Sequence, residues 1–427
     1  MIRICRYGEI PEEEIFSREE TVLSGVADTV AAIIAGVRAR GDTALKDYTE
    51  RFDGVRPEPL AVTEEEYSEA LDLVDDAMKE ILRKAAESIT AFHREQKRSG
   101  FILNGKKGVV SGQKVVPLSR VGIYVPGGTA AYPSTVLMDA IPAKIAGVKE
   151  IVMVTPPNRE GKVNPVILAA AKTAGVDTVY KVGGAQAIAA LAYGTETIGR
   201  ADKIVGPGNA FVAEAKRQIF GQAGIDMIAG PSEILIVADG KTNPAHAAAD
   251  LLSQAEHDRN ASAVLVTDSE RLAISVQSEI ERQLATLPRE AIARASVERN
   301  GKIILAPSIR EAVGIANRIA PEHLELCVED PFDYLDAVEN AGSVFLGRYC
   351  PEAFGDYMAG PNHTLPTGGT ARFSSPLSVD DFVKKIQYTY FSKEAFKDLA
   401  ADVAAFAESE GLSGHARSAL VRMEEPV

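Results

Sequence analysis

Two textures of apolar and polar positions follow one another along this chain. From about residue 18 to 100 the apolar residues recur at helical spacing. SREETVLSGVADTVAAIIAGVRARG opens with Ser17 and Glu20 spaced as a capping box, and Gly41 stands where a C-terminal cap would. A second long helix is predicted from Thr63, through TEEEYSEALDLVDDAMKEILRKAAESITAFH. From Val121 the pattern becomes short apolar runs bounded by Gly and Pro: VGIYVP, IVMVTP, VYKVGG, KIVGPG, EILIVAD, AVLVTD and KIILA. Ala-rich helical segments such as PAKIAGV and AQAIAALAYG lie between them. Strands alternating with helices in this way predict βαβ units and a parallel sheet. SEILIVAD followed by TNPAHAAADLLSQAEHD repeats the pattern and predicts a second such unit. The tail from about Ser378 reads as helical again, with SKEAFKDLAADVAAFAESEG ending on Gly411.

Composition narrows the function classes. At 427 residues, more than one core is expected. A formal charge of −14 argues against nucleic acid or an anionic membrane as partner. The first residues, MIRICRYGEI, carry no apolar signal core, and runs such as ILIVA are far too short to span a bilayer. Cys5, Cys327 and Cys350 are an odd number without close spacing, which suits a reducing cytoplasm.

Three glycine-rich turns follow strands. GPGNAF has Gly206 and Gly208 of a dinucleotide fingerprint, but Phe211 where the third glycine belongs. VGGAQAIAALAYG opens a helix on a glycine pair, and VPGGTAAYPS has Tyr124 at its edge, able to stack on a flat ring. Each turn can present free N–H groups to an anion, and each can equally be a plain connection.

LLSQAEHDRN places Gln254 and His257 three residues apart on a helix starting at Pro244, so both could reach one ion from its last turns. A solvated helix end has the same pattern. His246 is too far along the axis to share that ion and reads as a surface or packing residue. Four of the six histidines sit in polar contexts: AEHD, APEHLE, AGPNHTLP and GLSGHA. GDYMAGPNH carries Asp356 and His363 in a Gly/Pro-rich loop that could aim side chains into a cleft. Two imidazoles, a carboxylate and an amide oxygen would suit zinc and tolerate manganese or cobalt. IAPEHLELCVE sets Glu322 beside His323 between a helix and a strand, a proton-transfer pairing or simply a polar loop.

Taken together, SRVGIYVPGGTAAYPSTVLMDAIPAKIAGVKEIVMVTPP, KVGGAQAIAALAYGTE, KIVGPGNAFVAEAK, IAGPSEILIVAD, LLSQAEHD, IAPEHLEL, GDYMAGPNHTLPTGGTARFSSPLSV and EGLSGHA resemble the histidinol dehydrogenase family, in its order, from about residue 115 to 415. The resemblance implies oxidation of L-histidinol to L-histidine with two NAD⁺, through a bound histidinaldehyde. It implies one zinc ion per subunit held by Gln254, His257, Asp356 and His415, and proton transfer by Glu322 and His323. Substrate contacts carry over to Ser232, Gln254, His257, His323, Asp356, Glu410 and His415, and NAD contacts to Tyr124, Gln186 and Asn209.

The fold implied is α/β, with two incomplete Rossmann-like domains in an intertwined homodimer that shares its active sites. The expected division is an N-terminal segment 1–19, a larger domain 20–122 with 234–376, an NAD domain 123–233, and a helical tail 377–427 reaching the partner. Three rivals remain at this point: a relative oxidising a different polar alcohol, a zinc hydrolase using Glu322 as base, and a non-catalytic metal or nucleotide binder. The first would have no use for a full zinc quartet, the second none for the glycine turns, and the third none for Glu322–His323.

Overall fold

The computed structural model describes residues 1–9, 11–16, 25–127 and 131–424, so the expected capping box at Ser17 and Glu20 lies outside the described residues. In chain order, β1 (Arg3–Arg6) and α1 (Glu12–Phe16) precede α2 (Ala27–Asp53), α3 (Glu64–Leu73) and α4 (Asp76–Arg94). Then come β2 (Phe101–Lys106), β3 (Val109–Pro117), β4 (Arg120–Tyr124), α5 (Pro133–Ala146), β5 (Glu150–Thr155) and α6 (Pro165–Ala174). β6 (Thr178–Lys181), α7 (Gly184–Tyr193), β7 (Lys203–Val205), α8 (Ala210–Ile219) and β8 (Gly224–Ile225) follow. Next are β9 (Glu233–Ala238), α9 (Pro244–Ala255), β10 (Ser262–Thr267), α10 (Glu270–Leu284), α11 (Glu290–Asn300), β11 (Lys302–Leu305) and α12 (Ile309–Ile319). The chain ends with β12 (His323–Cys327), α13 (Phe332–Leu335), β13 (Ser343–Leu346), α14 (Glu352–Tyr357), β14 (Val383–Phe391), α15 (Lys393–Ser409) and α16 (Ser413–Leu420).

Local chemistry explains where the helices start and stop. Gly41 breaks helical geometry with φ 52° and ψ −131°, but helix resumes at once, so α2 runs kinked through the expected cap. Thr63 and Glu66 form a reciprocal capping box at 3.2 and 2.8 Å. The single helix expected from there is in fact two, because the Asp75 carboxylate accepts the Met78 N–H at 2.7 Å and opens α4 afresh.

The chain falls into two compact units, Met1–Gln96 with Leu118–Phe382, and Lys97–Pro117 with Val383–Val427. The first holds two parallel sheets. Its five-stranded sheet has the order β6-β5-β4-β7-β8, which reverses direction between β4 and β7. The six-stranded sheet has the order β1-β11-β10-β9-β12-β13, with its reversal between β9 and β12. Apolar cores cover both faces of the six-stranded sheet, one against α9, α10 and α11 and the other against α12. Burial on two faces is what makes its strands continuous apolar runs. α2, expected with the larger half, contributes Val30, Ile33, Ile34, Val37 and Leu45 to the core of the five-stranded sheet. No helix among the described residues is long and apolar enough to cross a membrane.

The second unit is an antiparallel sheet, β14-β3-β2, with α15 and α16 following β14. The tail is therefore not helical from Ser378: residues 383–391 pair with β3 along their whole length, from Val383↔Pro117 to Phe391↔Val109. Phe101, Ile102, Leu103, Tyr388, Tyr390 and Phe391 of this sheet are exposed.

Candidate active site

The carboxyl ends of β4, β6 and β7 bring together the three residues assigned to NAD. This is the strand-order reversal where open α/β sheets bind ligands. Tyr124, the last residue of β4, is buried, and its hydroxyl accepts the Gly184 N–H at 3.1 Å. It thus props the opening of α7 instead of offering an open ring face. Gln186, in the first turn of α7, is 1% exposed, and its Oε1 has no hydrogen-bond partner among the described residues. Asn209 caps α8, accepting the Phe211 and Val212 N–H groups at 3.1 and 3.2 Å. Residues 128–130 of the loop after β4 lie outside the described residues.

The corresponding reversal of the six-stranded sheet is closed. Arg348 reaches Asp239, at the carboxyl end of β9, with two contacts of 2.6 Å. The titratable side chains gather instead at the amino ends of β9 and β12. α9 begins under an Asn243 cap and runs back against the strands, delivering Gln254 in its last turn to that end of the sheet. His257 lies just past the helix, exposed, with its N–H on the Gln254 carbonyl at 3.1 Å, and not in the last turn as expected.

Asp356 stands on α14 and not in a loop. Glu352 begins the same short helix one turn earlier, so both carboxylates share a face. The Glu352 N–H donates to Glu325 Oε1 at 2.8 Å, and the Ser253 hydroxyl reaches Glu352 Oε2 at 3.3 Å. The Gln254 side chain also bonds Glu352, while Gln254 Oε1 is buried with no hydrogen-bond partner among the described residues.

Glu322 and His323 stand at the start of β12, and the main chain of one residue, Glu233, holds both. Glu322 Oε2 accepts the Glu233 N–H at 2.8 Å, and His323 Nδ1 donates to the Glu233 carbonyl at 2.9 Å. His323 Nε2 then faces Glu352 Oε1 at 4.0 Å. Ligand atoms of His323, Glu352 and Asp356 all lie within 4.8 Å of one another. His363 Nδ1 lies 3.2 Å from Asp356 Oδ1.

Burial sets the charges. It pushes the Glu322 carboxyl well above the ordinary range and pulls His323 down to about 4. Burial, then the Asp356 charge, lifts Glu352 to about 8. Burial opposes ionisation of both Asp356 and His363, but their mutual hydrogen bond and attraction prevail: Asp356 falls to about 2 and His363 rises. The buried carboxyls of Glu322 and Glu352, the half-buried Asp356 carboxylate, the neutral His323 imidazole and an orphaned amide oxygen make a pocket that favours a cation with N/O preference.

Ser232 sits half-buried just before β9, its carbonyl accepting the Ser262 N–H at 2.9 Å. Glu410 and His415 are exposed in the second unit, at the end of α15 and in the first turn of α16. Exposed His246 is outside the cluster, as its spacing predicts. Sequence reasoning missed Glu352, Glu325 and the Glu233 main chain, and took His363 no further than a side chain that a rigid turn could aim into a cleft. The one available signal was the Glu-x-x-x-Asp spacing in PEAFGDY.

The family model for histidinol dehydrogenase matches residues 16–423. A histidinol dehydrogenase from Syntrophotalea carbinolica is 55% identical over 413 residues, covering 96% of each chain. One from Geobacillus kaustophilus is 55% identical, covering 96% of this chain and 97% of its own. The crystal structure of histidinol dehydrogenase from Elizabethkingia anophelis superposes with a TM-score of 0.94 at 38% identity, over 99% of this chain and 98% of that one. An arrangement of two parallel sheets with a buried acid–base cluster at one and a glycine-rich crevice at the other is thus carried by a chain that belongs to the histidinol dehydrogenase family, and it is an oxidoreductase.

Proposed function

We propose that the chain catalyses the NAD-dependent, zinc-requiring four-electron oxidation of L-histidinol to L-histidine through a bound L-histidinaldehyde, the last steps of histidine biosynthesis in the cytoplasm. The observation that carries this reading is the convergence of Gln254, Asp356 and Glu352 on the Glu322–His323 pair.

The orphaned Gln254 oxygen and the Asp356 carboxylate fit a zinc ion, and the unpartnered Gln186 oxygen at the start of α7 fits a polar cofactor. Gln254, His257, Asp356 and His415 would hold the ion and Tyr124, Gln186 and Asn209 the dinucleotide, supplying respectively a charged anchor for the substrate's imidazole and amine and acceptance of two hydrides. The chain's own residues do the rest. His323, with Nδ1 committed to the Glu233 carbonyl, keeps the Nε2 lone pair for the alcohol proton. Glu322 has one oxygen on the Glu233 N–H and the other available to take a proton from water attacking the aldehyde. Substrate contacts at Ser232, Gln254, His257, His323, Asp356, Glu410 and His415 orient the reacting carbon. Such alignment lowers barriers by roughly 7–11 kcal/mol. A homodimer, in which Glu410 and His415 come from the partner subunit, completes the reading; the exposed aromatics of the second unit's sheet support an interface there.

The test is stoichiometric. Purified protein with L-histidinol and NAD⁺ should release two NADH per histidinol, lose this activity to a chelator and regain it with zinc. Absence of NADH from zinc-loaded protein would overturn the proposal.

A further inference from the structure

The cofactor turn and the acid cluster are tied to one helix. α5 holds the segment 362–364 at three places: Thr135 Oγ1 lies 3.4 Å from His363 Nε2, the Met138 carbonyl accepts the Asn362 amide at 2.6 Å, and the Asp139 carboxylate accepts the Thr364 hydroxyl at 2.9 Å. Asn362 Oδ1 closes the segment on the Thr364 N–H at 2.8 Å. His363, fixed in this way, holds Asp356.

Asp139 also faces the turn that follows β7. A Cβ built on Gly206 would stand 3.1 Å from Asp139 Oδ2. The turn is rigid, because Gly206 N–H donates to Asp226 Oδ2 at 2.8 Å, Gly206 carbonyl accepts from Lys216 Nζ at 2.9 Å, and Lys216 and Asp226 form a buried ion pair. Asn209 lies three residues further on. Asp139 itself is 0% exposed, and its Oδ2 has no hydrogen-bond partner among the described residues. A buried carboxylate with an unsatisfied oxygen weakens the fold, and a side chain kept only for packing would gain by losing it.

We infer that Asp139 is a positioning residue that links the turn Gly206–Asn209, through Thr364, to the His363–Asp356 pair, keeping the cofactor crevice and the acid cluster in one register. The inference rests on the proposed function for the identity of the two sites it joins.

The experiment uses zinc-loaded full-length protein and the variants Asp139→Asn, Thr364→Val and Thr364→Ser. Asp139→Asn and Thr364→Val should each lower kcat on the order of tenfold, with KM values and zinc content close to wild type and Tm not reduced. The double variant should be no worse than either single one, since both remove the same link, and Thr364→Ser should restore kcat. A second readout needs no turnover. Saturating NAD⁺ should change the rate of zinc loss to a chelator by about fivefold or more in wild type, and that change should vanish in Asp139→Asn. Wild-type kcat in Asp139→Asn, additive losses in the double variant, or an NAD⁺ effect on zinc release that is absent in wild type or equal in both proteins would overturn the inference. Failure of the wild type to form NADH from histidinol would instead strike the proposed function, leaving the zinc-release comparison to decide this one.

Discussion

His323 Nδ1 stands 2.9 Å from the main-chain oxygen of Glu233, on the neighbouring strand. A carbonyl can only accept, so this contact fixes the proton on Nδ1 and leaves Nε2 as the basic nitrogen. The N–H of the same residue holds Glu322, so the main chain of Glu233 at the start of β9 orients both side chains. Their separation, 3.6 Å between Nδ1 and Glu322 Oε2, puts them beside one another without pairing them, and each is left to act by itself.

Separate roles make separate defects. Glu322→Gln keeps the shape but not the basicity, so the first oxidation should proceed while the second slows by roughly 100-fold or more. In a single turnover with excess NAD⁺, one equivalent of NADH should appear at the wild-type rate and the next should lag. Two equivalents at the wild-type rate would refute the role of Glu322.

Gln254→Ala and His415→Ala should each lose zinc affinity by more than the roughly 10–100-fold that outer-shell groups cost. If sites are shared between subunits, mixing the two inactive variants under dissociating conditions and then reassociating them should recover part of the activity. A mixture as inactive as its components would argue for sites built within one chain.

Burial, reinforced by the charge of Asp226, pushes the Asp139 carboxyl from 3.8 up to about 7. Between about pH 4 and pH 7 the unfolded chain has released this proton while the folded protein retains it. The unfolded state binds fewer protons, so this group's contribution to stability falls as pH rises through that window and is flat above it. Asp139→Asn should therefore match wild type near pH 4 and exceed it above about pH 7 by on the order of a few kcal/mol. Denaturant titrations at the two ends of the window would show it; a variant less stable than wild type at the upper end contradicts the assignment.

Gly206 has φ 111°, and a Cβ there would lie 2.2 Å from the Tyr124 carbonyl oxygen. Gly206→Ala must part the ends of β4 and β7, at roughly 1–3 kcal/mol or more. Because Tyr124 and Asn209 flank that seam, NAD⁺ affinity should fall more than zinc affinity. Calorimetry of both ligands checks this, and an unchanged NAD⁺ titration would place the cofactor elsewhere.

The central strands of both parallel sheets were readable because they are apolar on both faces, and α9 because Asn243-Pro244 caps it, whereas the less buried β1, β8 and β13 were not. Nor was β14. VKKIQYTYF sets two adjacent lysines ahead of three exposed aromatics and owes its strand geometry to β3, more than 260 residues earlier in the chain. Asp356 was misread as a loop residue because EAFGDY contains a glycine and has little helical tendency. What holds that helix is the fully buried Glu325 carboxylate on its first N–H, a contact that no local pattern encodes.

By itself, then, the amino-acid order determined the α/β class, the glycine turns that end the strands, and the candidate pair Glu322–His323 with Gln254 and Asp356. These are written in short-range periodicity and in residue types that have few other uses. Only the tertiary structure decided that the acid–base cluster lies at the amino ends of β9 and β12, with Arg348 and Asp239 closing the opposite crevice. It also decided that Glu352 joins the cluster and that Asp139 stands between the turn after β7 and Thr364. Those are relations between groups tens to hundreds of residues apart, fixed by helices packing on sheets and by the cost of leaving a buried polar atom unpaired.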